Sequence, residues 1–125
     1  MTRNKDDTLL FVYNADSTLF ASLSDFARKV VAPKTYGCNL CMITYGLFEM
    51  KDEWKEFLDT LPQHKTFLHR DEFVKKYPGY AKVQLPAIFV ISNGAVKELV
   101  SAQEINHKKS VAELKAFLLL KLRKN

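Results

Sequence analysis

Long apolar runs are missing from this 125-residue chain: no stretch approaches the roughly 18 residues that a membrane helix needs. The N-terminus, Met1-Thr2-Arg3-Asn4-Lys5-Asp6-Asp7, carries both signs of charge. The apolar run behind it, residues 9–13, is too short for the core of a signal peptide, and no small-residue cleavage site follows. A cytoplasmic address without membrane contact is the expectation. Glycine is scarce, at four residues, and none sits in a phosphate-cradling loop. No Ser, His and Asp fall into a hydrolase order that can be defended, and neither internal repeats nor low-complexity segments occur. Cysteine is scarcer still. Cys38 and Cys41 are the only two, so a second Cys-x-x-Cys to complete a zinc site is absent.

What is present suits an ordinary globular domain. Hydrophobic residues make up 47%, with nine Phe. That supports a single domain over residues 1–125 burying roughly two-thirds of its unfolded surface. The formal net charge is +5, from lysines spread along the chain with clusters at Lys75-Lys76, Lys108-Lys109 and Lys121-Arg123-Lys124. A dedicated nucleic-acid binder gathers its charge in one stripe beside aromatics. The sequence therefore reads as a solvated basic surface, and nucleic acid is not an expected partner.

Periodicity divides the chain into elements. Leu9-Leu10-Phe11-Val12-Tyr13 is a continuous apolar run, as in a strand buried on both faces, and Asn14-Ala15-Asp16-Ser17 ends it with turn and capping chemistry. Leu19, Leu23, Phe26 and Val30 then predict a helix over residues 18–31, stopped by Pro33. A second helical period runs through Leu40, Ile43, Leu47, Met50, Trp54, Phe57 and Leu61 to Pro62, with Gly46 as a point of kinking or division. Residues 65–69 read as a strand. Arg70-Asp71 opens a short helix carrying Phe73, Val74 and Tyr77 and closed by Pro78-Gly79.

The C-terminal part is clearest. Ala87-Ile88-Phe89-Val90-Ile91 is a buried strand, Asn93-Gly94 a hairpin turn needing positive φ at both central positions, and residues 96–100 the returning strand. After a loop, Ser110 and Glu113 form an S-x-x-E capping box. Val111, Leu114, Phe117, Leu118 and Leu122 make the buried face of the final helix, and Lys121, Arg123 and Lys124 suit its negative end.

The stretch Cys38-Asn39-Leu40-Cys41 admits three readings: a working dithiol, half of a metal site, or two buried thiols. Random placement would set two cysteines three apart about one time in sixty, so spacing alone does not decide. At a helix start, unpaired N–H groups and the macrodipole favour a thiolate, which would make Cys38 the nucleophile and Cys41 the resolving thiol. A metal site would recruit His69, with further ligands from elsewhere.

Strands alternating with helices, followed by a hairpin and a last helix, predict an α/β fold. Its central mixed sheet has about four strands flanked by helices. At residues 85–122, LPAIFVISNGAVKELV and the terminal amphipathic helix, the chain resembles the thioredoxin-like family. The resemblance implies a cis bond at Pro86 beside the Cys-x-x-Cys. It also implies thiol–disulfide exchange without a cofactor, on a protein or small-molecule disulfide or thiol. A non-catalytic binding module on the same fold, with structural cysteines, is the competing class.

One departure stands out. In that family the first cysteine follows the first strand within a few residues, whereas here Cys38 lies 25 residues beyond Tyr13, with the extra N-terminal helix between. In one geometry the Cys38 helix keeps the family position and residues 18–31 cross the carboxyl end of the sheet as a lid. In the other, residues 18–31 are the crossover helix. The unbroken period from Leu40 favours the first. A continuous helix of about 33 Å would overrun a strand of about 18 Å, which a break at Gly46 reconciles.

Asp16, ending the first strand, is a candidate proton acceptor near the thiols, though helix capping is the favoured reading. Tyr36 and Tyr45 flank the dithiol and are candidates for a groove wall or for core. His69 reads as a strand-end residue and Trp54 as packing only. Oligomeric state cannot be read from the sequence.

Overall fold

A strand with no polar face must be covered on both sides, and the run at residues 9–13 has none. The computed structural model describes residues 6–14, 39–44 and 50–124. In it β1 (Thr8–Val12) occupies an interior place in a four-stranded sheet of order β2-β1-β3-β4. It pairs in parallel with β2 (His64–Leu68), from Thr8 opposite His64 to Val12 opposite Leu68. On its other side it pairs antiparallel with β3 (Ala87–Ser92), Val12 lying opposite Ala87. Leu9, Leu10, Phe11, Val12 and Tyr13 are all buried.

β3 turns through Asn93 and Gly94, at φ 54° and 83°, into β4 (Ala95–Val100). Both φ values are positive, as a two-residue type I′ turn requires. Ile88 pairs with Val100 but Phe89 with Glu98, so Leu99 is an extra residue that bulges the outer strand. With Ser92 and Ala95 closing the turn, the peptide groups of Val96 point away from β3. The Tyr80 hydroxyl donates to the Val96 carbonyl at 3.2 Å. Bulge and hydroxyl together blunt an edge that would otherwise offer itself to another strand.

Alternation sends Leu9, Phe11 and Tyr13 to one face, with Leu10 and Val12 to the other. The first face is covered by α1 (Asn39–Thr44), α2 (Asp52–Asp59), α4 (Ala102–Asn106) and α5 (Val111–Lys124). Its core joins Leu40, Ile43, Trp54, Phe57, Ile105, Leu114, Leu118 and Leu122 to the sheet. Trp54 meets Phe11 edge-on at 6.1 Å between ring centroids. The second face is covered by α3 (Arg70–Lys76) and a 3-10 turn at Pro78–Tyr80. There Phe73 stacks on Phe89 at 5.1 Å. The architecture is α/β, with a mixed sheet between helices.

The long helical period proves to be two helices. The backbone N–H of Lys51 donates to the carbonyl of Thr44 at 2.8 Å. Seven residues apart in one helix, those groups would stand about 7 Å from each other. Thr44 closes α1 by donating its hydroxyl to the Leu40 carbonyl, and Lys51 is extended, with ψ 141°, where it caps α2. Gly46 and the rest of 45–49 lie outside the described residues, as does the helix expected over 18–31. The loop expected after β4 contains α4, capped by Ser101 and Glu104, whose side chains each bond the other's backbone N–H. The peptide bond between Leu85 and Pro86 is cis, as the family resemblance implies.

Phe11 couples sheet to helices through Trp54 and stacks on Phe67 at 5.0 Å. Phe11→Ala is expected to cost about 3–5 kcal/mol in urea unfolding. Tyr80→Phe, which removes only the edge-capping hydroxyl, is expected to cost about 1 kcal/mol. Comparable losses for the two would contradict this assignment of the core.

Candidate functional site

The carboxyl ends of β1 and β2 and the start of β3 share one edge of the sheet. Val12 lies opposite both Leu68 and Ala87, so His69 and Pro86, one residue further, flank the continuation of β1 at Tyr13. The Tyr13 backbone N–H extends the ladder by donating to the Leu68 carbonyl at 2.9 Å. The Tyr13 ring is buried, 6.4 Å from Phe67 and 5.7 Å from the His69 imidazole. Beyond it, Arg70 donates to the Asn14 side-chain oxygen at 3.3 Å, tying the exit of β1 to the start of α3.

His69 caps α3. One oxygen of Glu72 accepts both the His69 backbone N–H, at 2.8 Å, and the ring Nδ1, at 2.9 Å. Those two hydrogen bonds, backbone first, hold the Glu72 carboxyl below its ordinary value of 4.5. Glu104 is also held below its ordinary value. Burial pushes it up, but the hydrogen bonds from Lys121 (2.8 Å) and from Ser101 outweigh that.

Of the residues singled out from the sequence, Pro86 is buried at this end of the sheet and His69 is part of it. Trp54 is core, as expected. Cys41 is the third residue of α1, between buried Leu40 and buried Ile43, and both of these belong to the same core cluster as Tyr13. Cys38, Asp16, Tyr36 and Tyr45 lie outside the described residues. Among the described residues no group of three or more His, Cys, Asp or Glu could hold a metal ion, and no helix is long and apolar enough to cross a membrane. Sequence reading missed the Glu72 contact, although His-Arg-Asp-Glu has the three-residue spacing of a capping box. It also missed buried Asp7 and Gln63, which end β1 and β2 at the opposite edge of the sheet. Only the position of Asp7 before an apolar strand hinted at burial.

Neither a protein-family model, nor a curated protein, nor a solved structure matches this chain.

A titration of the Glu72 side-chain carboxyl by NMR is expected to give a midpoint below 4.5. A carboxyl depressed on folding stabilises the fold above its unfolded value, and that contribution fades as pH falls through the folded one. The capping of α3 should therefore weaken only below about pH 4.5. A midpoint at or above the ordinary value would remove the His69–Glu72 contact from the account.

Proposed function

We propose that this chain is a thioredoxin-like protein in which Cys38 and Cys41 form a redox-active dithiol. The observation that carries the reading is the strand order β2-β1-β3-β4, with β1 and β2 parallel and the β3–β4 hairpin antiparallel. Pro86 heads β3 and α5 closes the chain, which supports the half of the molecule on which the resemblance rests. Cys41 belongs to α1, and Cys38 immediately precedes that helix's first residue in the sequence. A thiol at the start of a helix would meet unpaired backbone N–H groups. Such groups would favour its thiolate, the form that attacks a disulfide.

The chemistry is thiol–disulfide exchange. The Cys38 thiolate attacks one sulfur of a substrate disulfide, forming a mixed disulfide and expelling the other substrate sulfur as a thiolate. Cys41, deprotonated in turn, attacks the Cys38 sulfur, releasing the second substrate thiol and leaving the Cys38–Cys41 disulfide. Two electrons pass from the dithiol to the substrate, and the reverse sequence oxidises a dithiol. Substrates are protein or small-molecule disulfides or thiols, no cofactor is required, and a cytoplasmic setting would keep the pair reduced between turnovers.

Mass spectrometry after equilibration in glutathione buffers of graded potential tests this directly. The expected result is a two-proton mass loss with a defined midpoint, abolished in Cys38→Ser and in Cys41→Ser. Thiols that stay free under mild oxidant would favour the structural reading of both cysteines.

A further inference from the structure

Between Glu72 and Glu98 the chain carries four lysines and not one Asp or Glu, so this fifth of the sequence holds +4 of a formal net charge of +5. Read linearly, Lys75, Lys76, Lys82 and Lys97 look dispersed. Folding separates them into one and three. Lys97 lies opposite Val90, whose side chain belongs to the α2–α5 side of the sheet. Lys75, Lys76 and Lys82 stay together on the α3 side, in the segment Lys75-Lys76-Tyr77-Pro78-Gly79-Tyr80-Ala81-Lys82-Val83. That segment is wound into consecutive turns: the Tyr77 N–H donates to Phe73, Tyr80 to Tyr77, Ala81 to Pro78 and Val83 to Tyr80, at 2.8–3.3 Å. The three lysines are exposed.

Their charge is not offset. Two lysines elsewhere meet carboxylates, Lys115 with Glu53 at 3.3 Å and Lys121 with Glu104 at 2.8 Å. Among the described residues no such pair involves Lys75, Lys76 or Lys82. Glu72, the acid bordering the segment, is engaged by His69. Between the lysines lie two partly exposed rings, Tyr77 and Tyr80, edge-on at 6.4 Å. Tyr80 is held by its bond to Val96, and both rings contact Phe73, so little side-chain freedom remains to lose on binding. The turn between them is open: a Cβ added at Gly79 would meet nothing within 4 Å.

We propose that this turn is a binding surface for single-stranded nucleic acid, with Lys75, Lys76 and Lys82 on phosphates and the partly exposed tyrosine rings as stacking faces for bases. Uncompensated lysines alone would suit any polyanion. Rigid aromatic rings set among them favour one whose repeating unit also carries a flat π-face. Lysine is a point charge without a bidentate fork, so the surface tracks a backbone and is not expected to read sequence. This inference stands apart from the dithiol reading and uses none of its residues.

Fluorescence anisotropy with a labelled oligothymidylate about 12 nucleotides long tests it, the length matching a small single-strand site. Three phosphate contacts predict a log–log salt slope of about −2. The triple variant Lys75→Gln, Lys76→Gln, Lys82→Gln should lose at least about tenfold in affinity near 50 mM salt and flatten the slope towards zero. A charge-matched control, Lys55→Gln, Lys109→Gln, Arg123→Gln, removes three exposed cations elsewhere and should bind within about twofold of wild type. Tyr77→Leu should weaken binding by about fivefold or more at unchanged salt slope. Equal losses in the two triple variants would overturn the proposal in favour of diffuse attraction to the whole molecule. Unaltered binding by Tyr77→Leu, together with equally good displacement by polyglutamate, would overturn it in favour of an acidic peptide. All six lysine and arginine positions are exposed, so the triple variants are expected to keep the wild-type unfolding midpoint, checked by circular dichroism.

Discussion

β1 presents apolar side chains in both directions, and every other element is arranged around that fact. Leu9, Phe11 and Tyr13 require one layer of helices while Leu10 and Val12 require another, so the strand can only be interior to its sheet. Its neighbours follow from chain connectivity. A parallel partner needs a long crossover, which residues 13–63 provide, and an antiparallel partner on the other side can continue directly into a hairpin. The two edges this leaves are short, and β4 is further protected by its bulge at Leu99 and by Tyr80.

The same arrangement brings together the sheet end on which function would rest. Parallel pairing puts the exits of β1 and β2 side by side, and antiparallel pairing puts the entrance of β3 beside them. His69, Asn14 and Pro86 thereby come together although 72 residues separate the outermost two in sequence. Capping then makes the edge rigid, since Glu72 holds His69 and Arg70 holds Asn14. Charge is segregated as well. On the helix-rich face Lys115 and Lys121 pair with Glu53 and Glu104, while the end of α3 and the turn after it carry three lysines, none in an ion pair among the described residues, around two tyrosines.

Features governed by local rules could be read from the sequence. Asn93-Gly94 announced the hairpin because few residues tolerate two positive φ values in succession, and Ser110 with Glu113 announced α5. Leu40, Ile43, Trp54 and Phe57 keep one helical period across the division between α1 and α2, so Gly46 was its one signal, and Thr44 and Lys51, which bound the division, bracket that glycine. The Lys51 N–H meets the Thr44 carbonyl, a contact that a continuous helix would not allow and that has no periodic signature. α4 went unread although Ser101-x-x-Glu104 carries the same capping signal as α5, since five residues are too few to set a period. Of the candidate site, His69 could be named from a strand boundary and Pro86 from the family resemblance. The lysine–tyrosine turn could not, because its coherence depends on which face of β4 receives Lys97.

Thiolate character at Cys38 is the physical property on which the redox reading depends, and the pH dependence of its alkylation measures it directly. In a Cys41→Ser variant, where Cys38 is the sole thiol, the rate of iodoacetamide modification followed across pH reports the Cys38 ionisation. The account predicts a midpoint at least about one unit below the 8.5 of an ordinary cysteine. A midpoint at or above 8.5, or modification only on unfolding, would contradict it and make the pair a structural feature of the core.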